Sequence, residues 1–182
     1  MTRKKSAHDR RTTSPADDDR RRIDDFMEAA SAFRGLCDNA KEHGRKRFLF
    51  GLSQALPRLQ AVAAALPEVE AVSGKLPFEA GDRPRRDPPD VVWTYLPDDW
   101  TYVQELFHET VDGAESPAIH LLGDDLGDIY DEVVEGFDII AGGFPESEAV
   151  WHWRWGFWNH WGFHIAEAQR VIHYYVAVHA HY

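Results

Sequence analysis

The chain is organised around the stretch Val150–Tyr182, VWHWRWGFWNHWGFHIAEAQRVIHYYVAVHAHY. It holds five of the seven tryptophans and six of the ten histidines, so aromatic burial and candidate site chemistry concentrate there. Its first aromatic residues alternate with a period of two, which is typical of a strand: Trp151, Trp153, Trp155 and Phe157. A longer set recurs at three- and four-residue spacing, which indicates a helix: Phe157, Trp161, His164, Ala168, Val171, Tyr175 and Val178. Seven matched positions outweigh four, so the stretch is predicted to be helical.

A single helix from Pro145 to Tyr182 would be about three times the mean helix length. Glycine inside a helix costs up to about 1 kcal/mol and often marks a bend. We therefore expect this segment to bend at Gly156 or Gly162.

Toward the N-terminus, further apolar stripes at helical spacing indicate more helices. Gly44 is predicted to close the first, and Pro57 to kink or break the second near Ala55. The predicted helices begin near Ile23, near Phe48, after Asp98 or Asp99, after Asp124 or Asp125, and at Pro145. The fold class is therefore all-α, a bundle of about five helices.

Six of the ten prolines fall within a long connection, residues 67–97, which is predicted to be extended, with a short strand at Val91–Tyr95. Residues 1–22 have almost no apolar side chains and are predicted to be a disordered basic tail, which leaves 23–182 as one helical domain. The tail carries eight basic and four acidic side chains, about +4, so with −11 overall residues 23–182 hold about −15.

This acidic body repels phosphate backbones, which argues against nucleic-acid binding by the body and favours a basic protein partner. No apolar run reaches the roughly 18 residues that a membrane span needs, and no secretory signal is recognisable. The single cysteine, Cys37, excludes an internal disulfide and fits a reducing compartment. We therefore expect a cytoplasmic protein without a membrane segment.

Two motifs carry a family resemblance: Asp124–Tyr130, DDLGDIY, and Trp151–His164, WHWRWGFWNHWGFH. The chain resembles a family of small bacterial helical domains of unknown function, which have a DDLADIY-like helix followed by a WxWRxxFxxHWGxHxxxALRxxH-like helix. The resemblance covers roughly Phe48 to His173, and the chain departs from the motifs at Gly127 (commonly alanine) and Gln169 (commonly leucine). It implies a helical bacterial protein and carries no known activity.

The strongest candidate for chemistry is a metal site formed by His160, His164, Glu167, Asp125 and Asp128. Spacings of four and three place the first three on one helical face, and the two aspartates could face the same point from the preceding helix. Imidazoles with carboxylates suit a divalent zinc, manganese or iron ion. A structural explanation stays open, with a histidine–aspartate contact in the core and aspartates that only cap their helix.

The five tryptophans of the stretch spread around the helix, so they cannot all face inward. Burial beneath the Pro-rich connection explains most of them, and exposure at a protein interface is the alternative for Trp151, Trp155 and Trp158. Two functional hypotheses follow. The first is a non-catalytic, immunity- or antitoxin-like protein that binds a basic partner, and the second is a metal-dependent hydrolase.

Overall fold

The computed structural model describes residues 14–71, 85–96, 101–104 and 118–179. The described part contains helices α1 (Pro15–Asp38), α2 (Ala40–Ala64), α3 (Asp90–Tyr95), α4 (Leu122–Ala141), α5 (Glu146–Asn159) and α6 (Trp161–His179), and strands β1 (Thr101–Gln104) and β2 (Ala118–Leu121). The predicted all-α bundle is confirmed, with six helices in place of about five. None of the described helices combines the length and the apolar character that crossing a membrane requires.

The core lies between two layers of helices. Helix α4 packs against α5 and α6, α1 packs against α2, and α2 joins the layers through its contact with α6. The aromatic side chains of Phe26, Trp153 and Trp161 are fully buried at the centre, where the ring of Phe26 lies 4.9 Å from that of Trp153. The C-terminal aromatic stretch therefore supplies the core that the other helices cover.

Close approach of α4 and α5 depends on a glycine. A Cβ atom on Gly136 would overlap the indole of Trp153, so only glycine leaves room for the ring. The indole Nε1 donates a hydrogen bond to the carbonyl oxygen of Val133 at 3.1 Å, which satisfies the polar atom of this buried ring. This packing fixes α5 on the face of α4 that carries the candidate site.

The bend expected at Gly156 or Gly162 is a full break between two helices. Helix α5 ends at Asn159, and His160 has non-helical φ and ψ angles of −147° and −87° before α6 begins. A Cβ atom on Gly162 would overlap the carbonyl oxygen of Phe157, so the tight connection requires glycine there. The break changes the direction of the chain between His152 and His164.

The N-terminal boundary corrects the predicted disordered tail. Helix α1 begins at Pro15, so the prediction for residues 1–22 is wrong from that proline onward, while residues 1–13 lie outside the described part. Ser14 caps the helix by accepting a hydrogen bond from the backbone N–H of Asp17, and proline occupies the first helical position. Arg20 pairs with Asp24 one turn on. The cap, the proline and the ion pair stabilise this end of the helix, although the segment contains few apolar residues.

Two other helix boundaries also differ from the predictions. Helix α1 ends at Asp38, and Gly44 lies within α2, where its φ of 69° breaks the helical path. Helix α2 continues through Pro57, so of the kink or break predicted near Ala55 the break does not occur. Leu56 and Leu59 are fully buried beside the proline, and their burial offsets the lost backbone hydrogen bond.

The structure has a helix where a strand was predicted in the Pro-rich connection, and a strand where a helix was predicted after it. Val91–Tyr95 belongs to α3, a short helix that buries Val92 against α2, whereas a strand was predicted. The helix predicted after Asp98 or Asp99 is wrong at β1, which pairs antiparallel with β2 and sets Tyr102 opposite His120. Both segments contain β-branched and aromatic residues, whose preference for strands depends on context, and of the two only Thr101–Gln104 has a described pairing partner, β2. Residues 72–84, 97–100 and 105–117 lie outside the described part.

Candidate functional site

The candidate site is a polar strip within the apolar bundle. One face of α4 carries four acidic residues at spacings of three, four and three: Asp125, Asp128, Glu132 and Glu135. Three histidines from α5, the break and α6 lie opposite: His152, His160 and His164. The fold brings the two rows together because α4 packs against both C-terminal helices.

Asp125 orients His164, the histidine of α6. Its side chain is almost fully buried, and its Oδ1 accepts a hydrogen bond from Nδ1 of His164 at 2.8 Å. The hydroxyl of Tyr102 donates to the other carboxylate oxygen. Nε2 of His164 then faces Asp128, with 3.4 Å to its Oδ2. Helix α4 is capped at Leu121 without a side-chain hydrogen bond, so capping does not explain Asp125.

Asp128 has a second, cationic neighbour. Nη1 of Arg85 lies 2.8 Å from its Oδ1, which leaves Oδ2 directed at His164. A Cβ atom on Gly127 would overlap the Arg85 guanidinium. Glycine at this position, where the resembling family commonly has alanine, therefore gives the arginine room to reach Asp128.

One set of side chains converges closely enough to hold a cation. Asp128, His160 and His164 each offer a ligand atom, and these atoms all lie within 4.8 Å of one another. The two imidazole rings are 4.9 Å apart and nearly perpendicular. His160 is about half exposed, with 46% of its side-chain surface accessible, so this set opens to solvent.

A second set lies deeper along the same face of α4. Glu132, Glu135 and His152 also offer ligand atoms within 4.8 Å of one another. Nε2 of His152 is 3.1 Å from Oε2 of Glu132 and 3.5 Å from Oε2 of Glu135. The other oxygen of Glu132, Oε1, lies 3.0 Å from Nδ1 of His160. The Glu132 carboxylate therefore spans the two sets.

Electrostatics favour a charged Glu132–His160 pair. Burial raises the pKa of Glu132, but the imidazoles of His152 and His160 outweigh it and lower that pKa to about 2. The hydrogen bond to Glu132 raises the pKa of His160 above its ordinary value, against a smaller opposing effect of burial. The strip thus keeps an ionised carboxylate below the protein surface.

Four of the five residues predicted for the metal site lie together. His160, His164 and Asp128 form the converging set, and Asp125 holds His164 from behind. Glu167 is not part of it, because its carboxylate pairs with Arg170 at 2.9 Å on the same helix. Helical spacing alone could not exclude Glu167, since it shows which side chains share a face of α6 and not which partner each of them takes.

Five residues of the strip and its surroundings were missed by the sequence reasoning: Arg85, Tyr102, Glu132, Glu135 and His152. Glu132 and Glu135 continue the spacing of Asp125 and Asp128 along α4, so the helical pattern could have indicated them. His152 was obscured by the alternation of the tryptophans around it. Arg85 and Tyr102 come from distant parts of the chain and gave no local signal.

The candidate interface tryptophans differ in exposure. Trp155 and Trp158 are about half exposed, at 53% and 54% of their surface. Trp151 is partly buried and stacks on Trp155, with ring centres 6.0 Å apart. Trp153 and Trp161, in contrast, are fully buried. Two of the three candidates are therefore placed where a binding partner could reach them.

Comparison with known proteins identifies a family and a fold. The crystal structure of protein BF1032 from Bacteroides fragilis is similar to this chain, with 18% sequence identity and a TM-score of 0.60, over 84% of this chain and 90% of that chain. At this identity the similarity shows the fold alone. No curated protein matches the chain. The model of the family described as Domain of unknown function (DUF5063) matches residues 18–178, and the chain therefore belongs to that family.

Proposed function

We propose that this protein binds a divalent metal ion between α4 and α6 through Asp128, His160 and His164. The observation that carries the proposal is the convergence of one ligand atom from each residue within 4.8 Å. Two imidazoles and one carboxylate are donors that zinc, manganese and iron accept. Binding would draw together side chains that already face each other across the helix interface.

Asp125 and Tyr102 support the proposal from outside the ligand set. Metal-binding histidines generally donate their other ring N–H to a carboxylate, which fixes the tautomer and the orientation of the ring. His164 has this arrangement, because Nδ1 donates to Asp125 while Nε2 faces Asp128. The Tyr102 hydroxyl holds Asp125 in turn. Such a chain of hydrogen bonds presents Nε2 as the metal-binding nitrogen.

The chemistry that suits such a site is hydrolysis. Three protein ligands leave a coordination position for water, and a bound cation lowers the pKa of that water. The exposure of His160 gives a substrate access from solvent. The positive charge of Arg85 beside Asp128 favours an anionic substrate. We therefore propose metal-dependent hydrolysis as the activity of the loaded site.

Metal titration tests the proposal. Protein without a histidine tag is stripped with chelator and titrated calorimetrically with Zn²⁺, Mn²⁺ and anaerobic Fe²⁺. His164→Ala should lose more than roughly 100-fold in affinity, since changes in outer-shell residues alone cost about 10- to 100-fold. His173→Ala, an exposed histidine on the same helix, should bind as the unmodified protein does. Equal affinity in His164→Ala contradicts the proposal.

Hydrolysis has its own assay. The metal-loaded protein is incubated with chromogenic phosphate esters and carboxylic esters, and His164→Ala and His173→Ala are compared with it. Turnover that requires added metal and disappears only in His164→Ala supports the activity. Metal binding without turnover of either ester class contradicts it and leaves metal binding in place.

Exposed aromatic residues favour partner binding as a second candidate function. Trp155 and Trp158 present large apolar surfaces to solvent, and tryptophan is frequent among the residues that dominate interface energies. The net charge of −11 suits a basic partner protein, as in an immunity- or antitoxin-like role. The two functions involve different surfaces, so separate variants can distinguish them.

The partner-binding proposal is tested by capture followed by reconstitution. Proteins retained from a lysate of the source cells are identified by mass spectrometry, and each is purified and titrated against this chain. A Trp155→Ser/Trp158→Ser variant should lose the interaction, whereas Tyr174→Ser, an exposed aromatic on α6, should keep it. A purified partner that binds both variants equally contradicts a role for these tryptophans.

A further inference from the structure

The deeper set of side chains, Glu132, Glu135 and His152, is a second candidate metal site. It joins two carboxylates of α4 to one histidine of α5, and the ligand atoms lie within 4.8 Å of one another. Glu135 and His152 are buried, and Glu132 is mostly buried. The buried Oε2 atom of Glu132 needs a hydrogen-bond donor or a cation to replace its lost hydration.

The histidine does not provide this compensation by a hydrogen bond. Nε2 of His152 and Oε2 of Glu132 are buried, and neither has a hydrogen-bond partner among the described residues. The two atoms are 3.1 Å apart, but their directions do not meet hydrogen-bond geometry. Only 9% of the His152 side chain is exposed, so water does not replace the missing bond at low cost. A cation between the two atoms would satisfy both.

Glu132 connects this position to the first ion. We call Asp128, His160 and His164 the outer set, and Glu132, Glu135 and His152 the inner set. Oε1 of Glu132 lies 3.0 Å from His160 of the outer set, and its Oε2 lies 3.1 Å from His152 of the inner set. If His160 binds the first ion through Nδ1, that ion would also lie beside Oε1 of Glu132, and the carboxylate would bridge the two positions as a fourth ligand of the first ion. Two-metal sites of this kind clamp the attacking and leaving oxygens of a displacement.

We infer that Glu132, Glu135 and His152 bind a second divalent cation, and that the Glu132 carboxylate bridges it to the first. The inference rests on the proposed function, which supplies the first ion. The resulting dinuclear centre lies along one face of α4, with carboxylates from that helix and histidines from α5, the break and α6. Such sites, built from inward-facing acidic residues and histidines, suit manganese and iron.

The closing experiment counts metal ions and detects their coupling. Tag-free protein is stripped, loaded with Mn²⁺ and freed of excess metal, and its manganese content per chain is measured by mass spectrometry. The loaded protein should hold two ions, and low-temperature electron paramagnetic resonance should show an exchange-coupled pair. His152→Ala should retain one ion with the spectrum of isolated Mn²⁺, and His173→Ala should retain the coupled pair.

Each outcome separates the inference from the proposed function. One ion in the unmodified protein, unaffected by His152→Ala, overturns the second site and leaves the first. No bound ion overturns both. Two uncoupled ions overturn the bridging role of Glu132. Circular dichroism checks folding, and if His152→Ala does not fold, Glu135→Gln replaces it. This variant keeps the shape of the side chain and should likewise lose one ion, whereas two retained ions overturn the second site.

Discussion

Nδ1 of His164 donates a hydrogen bond to the buried carboxylate of Asp125 at 2.8 Å. The Tyr102 hydroxyl binds the other oxygen of the same carboxylate, so a residue of β1 helps to hold a histidine of α6 in place. The two hydrogen bonds to Asp125 fix the orientation of the His164 ring, and its Nε2 therefore faces Asp128. We therefore expect the metal affinity proposed for Asp128, His160 and His164 to depend on Tyr102, which is not itself a ligand.

Tyr102→Phe tests this dependence. Removal of the hydroxyl leaves Asp125 with one hydrogen bond fewer and His164 less firmly oriented, so metal affinity should fall by about tenfold. The number of ions bound should not change, because no ligand is lost. Tyr174→Phe, whose ring is exposed, is the matched control and should bind normally. Unchanged affinity in Tyr102→Phe would show that the chain of hydrogen bonds has no effect on metal binding.

Arg85 should oppose metal binding because its guanidinium pairs with Asp128. Arg85→Gln removes a positive charge beside the cation and should raise metal affinity by about two- to fivefold, since an ion pair this exposed is worth about 1 kcal/mol or less. Arg86→Gln is the matched control, because the neighbouring arginine pairs with Asp138 on another part of α4. A loss of affinity in Arg85→Gln would instead mean that the arginine positions Asp128 for the metal.

Stability should depend on Gly136 because of its contact with Trp153. Gly136→Ala inserts a methyl group into the indole and should lower the free energy of unfolding by about 1–3 kcal/mol. Gly35→Ala is the control, because a Cβ there meets no atom within 4 Å. That substitution in a helix should raise stability by about 0.5–1 kcal/mol. Urea unfolding measures both, and equal effects would contradict the close packing of α4 and α5.

In the metal-free protein, the Glu132–His160 pair should give stability a maximum on the acidic side of neutrality. The lowered pKa of Glu132 contributes stability above its ordinary value of 4.5, and this is lost as pH falls toward about 2. The raised pKa of His160 contributes stability below its ordinary value of 6.5, and this is lost as pH rises through the raised value. Chemical unfolding with chelator present should show both slopes. Glu132→Gln should flatten them, and identical profiles would contradict the pairing.

The sequence predicted most of the outer site because its elements are local. His160 and His164 lie one helical turn apart in the sequence, as do Asp125 and Asp128, and the apolar stripes placed the two segments in one bundle. Glu167 lies one turn after His164 on the same helix and yet pairs with Arg170, because helical spacing places residues on a face without choosing their partners.

The rest of the site depends on contacts between distant residues, which no local pattern encodes. Tyr102 reaches Asp125 from a strand that sequence reasoning had predicted to be a helix, and that strand exists through its pairing with β2. Arg85 reaches α4 from the Pro-rich connection. The two glutamates of the inner set, Glu132 and Glu135, could have been predicted from the spacing along α4. Its histidine, His152, could not, because the alternating tryptophans around it dominate the sequence pattern.

The proposed metal site is tested most directly by locating the ion in crystals. Tag-free protein loaded with Zn²⁺ or Mn²⁺ is crystallised, and anomalous differences are recorded on both sides of the absorption edge of the metal. We expect an anomalous peak bonded to Asp128, His160 and His164, with Nδ1 of His164 still donating to Asp125. A fully loaded crystal without a peak there, in which Nε2 of His164 remains paired with Asp128, would contradict the central claim that this cluster is a metal site.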